Sequence, residues 1–204
     1  MRTETKTFEI YTFEELPTEV QNKLIEKNRD INTYDDNWHD FLIDEFKEDD
    51  SIFNKTKVYY TGFWSQGDGA VFLYDGIKQS FFYEFIEKEC NFLTKKRKQL
   101  IIKNVIAHAK NTHNFRYYHE KSSTHYIDLE TNETLNQYNH TNIISLLEHI
   151  ESLFETYLIE TFESICLEFY RSLESNFNYW QEDEQVKQSL IYQQNNYLID
   201  GTEY

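Results

Sequence analysis

Apolar positions along the chain change their period several times, and each change marks an element. After Pro17, residues Val20, Leu24 and Ile25 recur at helical spacing. Proline suits a first helical turn, and Thr18 with Gln21 has the spacing of a capping box. A second helix is predicted from Asp35 and Asp36, with Trp38, Phe41, Leu42 and Phe46 as its buried stripe and acids in the first turn, where the helix dipole favours them. Residues 56–64 and 70–74 are β-branched and aromatic, and Ser65-Gln66-Gly67-Asp68-Gly69 lies between them. Asp-Gly between two such runs predicts a hairpin. Helical spacing returns at Phe81, Phe82, Phe85 and Ile86, and again at Leu100, Ile101, Val105 and Ile106. A second strand pair is predicted over 114–120 and 124–129, turning at Lys121-Ser122-Ser123.

The strongest periodicity runs from Asn142 to Phe177, where Ile143, Leu146, Ile150, Phe154, Leu158, Phe162, Cys166, Phe169 and Leu173 keep one face apolar. That is a helix of roughly 50 Å, longer than a compact domain of this chain length needs. It either breaks or reaches a partner, and its surplus apolar length leaves room for a homodimer. A short helix over residues 182–192 follows. The order ααββααββαα predicts an α+β fold, with antiparallel hairpins forming a small sheet packed with helices, rather than a parallel α/β sheet. No repeat and no Pro/Gly/Ser linker divides the chain, so one domain is expected over 1–204, with an α+β core at 1–140 and a helical part at 141–194.

Composition sharpens this picture. Aromatics make up 17% of 204 residues, against five glycines and one proline, which excludes collagen-like and disordered chains and predicts a Phe/Tyr-rich core. No apolar run reaches the roughly 18 to 20 residues of a bilayer span, and the charged start lacks the pattern of a signal peptide. Cys90 and Cys166 are too few for a disulfide framework, so a soluble cytoplasmic protein is expected.

The net charge of −16 is unevenly placed: residues 1–94 carry −10, residues 95–121 carry +7, and residues 122–204 carry −13. The basic stretch holds Lys95, Lys96, Arg97, Lys98, Lys103, Lys110, Arg116 and Lys121, with Phe115, Tyr117 and Tyr118 among them. Cations beside stacking rings are what single-stranded nucleic-acid binders use, so residues 95–121 are a candidate RNA or partner surface. The same stretch could equally be a solvated face, or dock on the acidic remainder of the chain. Seven glutamates from Glu148 to Glu174 offer a further mode, mimicry of phosphate spacing in a basic groove. The four histidines at 108, 113, 119 and 125 are spaced by five and six residues, unlike the i, i+4 pairs of helical metal sites.

The segment Gly62-Phe63-Trp64-Ser65-Gln66-Gly67-Asp68-Gly69 is the second candidate. Trp64, Ser65, Gln66 and Asp68 could line a ligand loop, although the spacing fits neither a nucleophile elbow nor a phosphate-binding loop. Otherwise the glycines shape the connection and Trp64 anchors the core. The sequence resembles a family of bacteriophage-encoded accessory proteins that carry a similar Gly-Phe-Trp-Ser-Gln-Gly-Asp-Gly segment. The likeness extends to Tyr11-Thr12-Phe13-Glu14-Glu15-Leu16, Arg29-Asp30-Ile31-Asn32, Arg116-Tyr117-Tyr118-His119 and Tyr170-Arg171-Ser172-Leu173-Glu174. That resemblance implies phage origin and an anti-defence role of the anti-CRISPR kind. The expected partner is a bacterial defence protein or ribonucleoprotein, in particular an RNA-guided nuclease or its guide RNA. No catalytic set, metal site or cofactor is assigned. The alternatives are a hydrolytic or nucleotide-modifying enzyme using Asp68 with His119 or His125, and an antitoxin-like protein that neutralises a partner protein.

Overall fold

A computed structural model describes residues 2, 7–49, 52–114, 116–132, 135 and 140–204. The predicted order of helices and strands is the observed one, and the fold is α+β. Helix α1 spans Thr18–Lys27, α2 Asp40–Glu48, α3 Gln79–Lys88, α4 Lys95–Asn104, α5 His140–Trp180 and α6 Asp183–Gln193. Strands β1 (Phe53–Tyr60) and β2 (Ala70–Ile77) form one antiparallel hairpin, and β3 (Val105–His113) and β4 (Ser123–Thr131) form another. Contacts within the chain gather into two compact units, Ile43–Arg171 and Met1–Leu42 with Ser172–Tyr204.

In the unit of residues 43–171, both hairpins bury one face against α3 and α5. Alternation along β2 puts Phe72 and Tyr74 inside, and Ile150, Phe154, Leu158 and Phe162 recur every four residues along one stripe of α5. Phe72 and Phe162 meet with ring centroids 4.7 Å apart, and Phe82 and Phe154 at 5.0 Å, so the core is largely interlocked aromatic rings. Lys55 is drawn inside this unit. Its ammonium donates to the Phe46 carbonyl at 2.7 Å, close to the C-terminal end of α2, and sits 4.1 Å above the Phe46 ring.

β2 and β3 lie side by side, held by amide side chains. Asn111 on β3 accepts from Tyr74 N–H at 2.8 Å and donates to the Phe72 carbonyl at 3.0 Å. At the other end, Gln79 donates to the Ala107 carbonyl at 2.6 Å and accepts from Ala107 N–H at 3.0 Å. Each side chain copies a peptide group; Asn111 separates the two strand backbones by its own width, and Gln79 joins the first residue of α3 to β3.

In the unit of residues 1–42 and 172–204, Leu24 and Ile25 of α1 pack with Val186 and Leu190 of α6, and with Phe13, Leu16 and Tyr197. Arg29 ties it together, donating to the Gln181 carbonyl at 2.9 Å and pairing with Asp183 and Glu26.

Several expectations need correction. Pro17 occupies the N-cap of α1, and Gln21 reaches back to the Leu16 carbonyl at 2.8 Å instead of pairing with Thr18. The capping-box contact belongs to Thr12, whose N–H donates to Glu15 at 2.9 Å. Phe41 is 75% exposed rather than part of a buried stripe: residues 36–39 form a 3-10 turn before α2 begins, and within α2 Phe41 lies off the i, i+4 row of Leu42 and Phe46. The second strand pair starts at Val105, not at 114, and residues 114–122 connect its strands. Val105, Ala107, Ala109 and Asn111 alternate inward, a period of two obscured by small and polar residues at inward positions. Val105 and Ile106 therefore belong to β3, not to a helix.

Candidate partner-binding surfaces

The loop joining β1 to β2 is closed by its own carboxylate. Asp68 accepts from Trp64 N–H at 2.9 Å and from Ser65 N–H at 2.6 Å, while Asp68 N–H donates to the Ser65 carbonyl at 3.0 Å. Gly67 lies in the left-handed region at φ 115°, and a Cβ there would stand 2.9 Å from the Tyr117 ring. A Cβ on Gly69 would stand 2.7 Å from the Tyr118 carbonyl oxygen. The glycines thus permit the loop to press against residues 117–119. On the opposite side Tyr170 of α5 donates to the Gly62 carbonyl at 3.0 Å.

Trp64 is not a core anchor. Its side chain is 78% exposed, and Phe63 takes the inward place against Tyr170 and Tyr60. Ser65 and Gln66 are exposed beside it.

The connection between β3 and β4 supplies the facing surface. His113 donates from Nε2 to the Tyr117 carbonyl at 2.7 Å, which leaves Nδ1 to accept from the Ser123 hydroxyl at 3.0 Å. Burial pushes His113 below its ordinary range and keeps it neutral for this role. Arg116 lies 5.5 Å from the centre of the Tyr117 ring, and Tyr117 is half exposed. Lys121 is exposed, whereas Tyr118 turns inward beside Tyr59. Phe115 lies outside the described residues. Trp64, Arg116, Tyr117 and Lys121 therefore share one tip, built from two loops that touch at Gly67 and Gly69.

The remaining cations are elsewhere. Thr94 caps α4 by accepting from Arg97 N–H at 3.4 Å, and Lys95, Lys96, Arg97 and Lys103 are exposed on that helix. Lys98 does not join them: it is 9% exposed and donates to the Glu87 carbonyl at 2.6 Å. Arg97 shares a groove of about 660 Å³ with Phe92 and His149, near the start of α5. From His149 to Tyr170, which marks the tip, α5 rises roughly 30 Å. The nine-residue β3, which separates α4 from the tip, spans a similar length. A stretch continuous in sequence is split between two ends of the fold.

The four histidines have separate surroundings. His108 pairs with Glu130 at 3.0 Å and His119 with Glu120 at 3.0 Å. His125 meets the Tyr74 hydroxyl at 2.8 Å and packs edge-on against Phe162. Burial pushes His125 down to about 4 and Tyr74 upward, so both are neutral at neutral pH. Among the described residues, no three His, Cys, Asp or Glu side chains are grouped to hold a metal ion. Along α5, Glu151 is half-buried, and burial with nearby Asp128, Glu155 and Glu148 raises its pKa. Sequence reasoning missed Asn111 and Gln79. A polar residue at an inward position of an alternating run was the available signal for Asn111.

Two hairpins, backed by a long helix and ending in an exposed aromatic tip, define an α+β protein. Residues 38–183 match a family model described as a domain of unknown function, DUF8835, and the chain belongs to that family. The match covers the whole unit of residues 43–171, with both candidate surfaces. Comparison with curated proteins and with solved structures gave no match. Among the described residues, no helix is long and apolar enough to cross a membrane.

Proposed function

We propose that the chain is a non-enzymatic, phage-type inhibitor that contacts a bacterial defence component, an RNA-guided nuclease or its guide RNA, through the tip formed by Trp64, Arg116, Tyr117 and Lys121. The observation that carries the reading is Trp64: a large ring held 78% exposed on a loop fastened from both sides. Exposed aromatic rings on rigid supports are where binding energy concentrates in protein interfaces, and rings beside a guanidinium stack on unpaired bases. Asp68 supports the same reading, because its carboxylate is engaged with the loop's own amides. The resemblance to phage accessory proteins supplies the class of partner. The exposed cations of α4 form a separate, second surface in this reading.

The test is affinity purification of the tagged chain from a bacterial host carrying such a nuclease, with and without ribonuclease. Recovery of the nuclease or its guide RNA is expected, and ribonuclease sensitivity distinguishes RNA from protein as the direct contact. Recovery of neither contradicts the proposal.

A further inference from the structure

A cleft of about 350 Å³ opens between the facing edges of β2 and β3, in the middle of the stretch bounded by the Asn111 and Gln79 bridges. Three features of the chain build it. At one end the Asn111 side chain acts as a spacer, because strands joined by their own ladder would lie about 4.8 Å apart, and at the other Gln79, the first residue of α3, occupies the free edge of β3 at Ala107. Small residues Gly76, Ala107 and Ala109 line the gap where larger ones would close it. The pairing register of β1 with β2 shifts between Tyr74 and Ile77, placing a bulge at Asp75 and Gly76. Bulges bend a strand and recur beside functional sites.

The walls have a defined chemistry. Ala107 turns its N–H and C=O away from β4, toward Gln79 of α3, and the alternation of an antiparallel strand turns those of Ala109 the same way. One strand edge thus presents a backbone donor and acceptor to the slot. Ile77 and Ile127 add apolar wall. At the rim stand Tyr126, half exposed, and Lys110, whose ammonium lies 5.9 Å from the centre of the Tyr126 ring. Asp75, bonded by Asn54, and Asp128 bring carboxylates to the same mouth.

We propose that this cleft binds a nucleotide. The base enters the slot, where the exposed backbone edge reads its donors and acceptors. The rim carboxylates accept from sugar hydroxyls, and Lys110 pairs with the phosphate. A narrow slot with mixed edges and an aromatic rim fits a flat heterocycle with hydrogen-bonding edges. The volume falls within the range of small-molecule sites and is sufficient for one nucleotide. This site is separate from the tip and does not depend on the tip's partner.

The experiment is an amide chemical-shift titration of the full chain with each of the four ribonucleoside monophosphates, and in parallel with a short oligoribonucleotide. Saturable shifts at residues 75–77 and 107–110, with dissociation constants of about 1 mM or tighter, are expected. Tighter binding of the mononucleotide assigns a free nucleotide, and tighter binding of the oligomer assigns a nucleotide within RNA. Ala109→Leu enlarges a side chain that borders both the slot and the core and should weaken binding at least about tenfold. If that variant does not fold, the exposed Lys110→Ala serves: nucleotide affinity should fall to that of the nucleoside. The proposal is overturned if no shifts appear in the cleft, if they occur only at 62–69 and 114–122, or if folded Ala109→Leu and Lys110→Ala both bind as the parent does.

Discussion

The tip and the exposed face of α4 both carry cations from the same basic stretch, yet they are built in opposite ways. At the tip, backbone and buried groups do the holding: Asp68 closes its loop, His113 secures the Tyr117 carbonyl, and Trp64, Tyr117 and Arg116 are left outside. On α4, Thr94 and Lys98 do the holding, and Lys95, Lys96 and Lys103 are left exposed, with Arg97 at the groove beside Phe92. Rigid rings lose little freedom on binding, whereas lysine side chains lose much, so equal exposure does not mean equal capacity to bind.

Substitutions can separate the two regions. The largest effect is expected from Gly69→Ala, whose methyl group would meet the Tyr118 carbonyl oxygen at 2.7 Å, where backbone must move. A loss of about 3 kcal/mol in urea unfolding is expected, or a displaced tip in a fold that survives. Gly62→Ala meets only the Asp68 carboxylate at 3.6 Å and should be nearly neutral. Equal effects from the two would show that the loop does not press on residues 117–119.

Acid should act on the core and the tip. The folded chain holds His125 near 4, while an unfolded chain titrates it near 6.5. Its contribution is therefore fully present above about pH 6.5 and is lost as pH falls toward 4. With the site partly reached by solvent, about 2 kcal/mol is expected, and His125→Gln should flatten that part of the stability profile. His113 is also held below its ordinary value by burial, so its protonation costs stability in the same direction; the contact disturbed is Nδ1 with the Ser123 hydroxyl, while the bond to the Tyr117 carbonyl is kept. A stability profile in the parent that is flat over this range would contradict the neutral Tyr74–His125 pair.

A smaller effect belongs to Lys98. Lys98→Ala removes the bond to the Glu87 carbonyl and should cost about 1 to 2 kcal/mol in chemical denaturation. Lys95→Ala and Lys96→Ala should stay within about 0.5 kcal/mol of the parent. Similar costs at all three positions would return Lys98 to the solvated face.

Periodicity made most of the fold legible, since the apolar stripe of α5 and the aromatic alternation of β2 are strong signals. It failed at β3, where small Ala107 and Ala109 and polar Asn111 occupy the inward positions while Ile106 faces outward, which weakens the alternation. It failed at Phe41, which lies beside the i, i+4 row of Leu42 and Phe46 and faces solvent. Of the candidate sites, the motif segment was visible in the sequence, but its division of labour was not. Phe63 and Trp64 are adjacent aromatic residues, and only the contact with Tyr170 decides which points inward. The split of the basic stretch was equally hidden, because nothing in residues 95–121 records that a strand separates α4 from the tip. The cleft was invisible for the same reason, as it arises from Asn111 and Gln79 meeting backbone far away in sequence.

The most direct measurement of the central claim is partner retention by Trp64→Ala beside the double variant Lys95→Glu with Lys96→Glu, each first shown to be folded. The account predicts that Trp64→Ala loses at least about tenfold in affinity, as a central aromatic contact does. The helix variant should retain binding within a few fold. Loss of binding by the helix variant, with Trp64→Ala behaving as the parent, would place the contact on α4 and contradict the account.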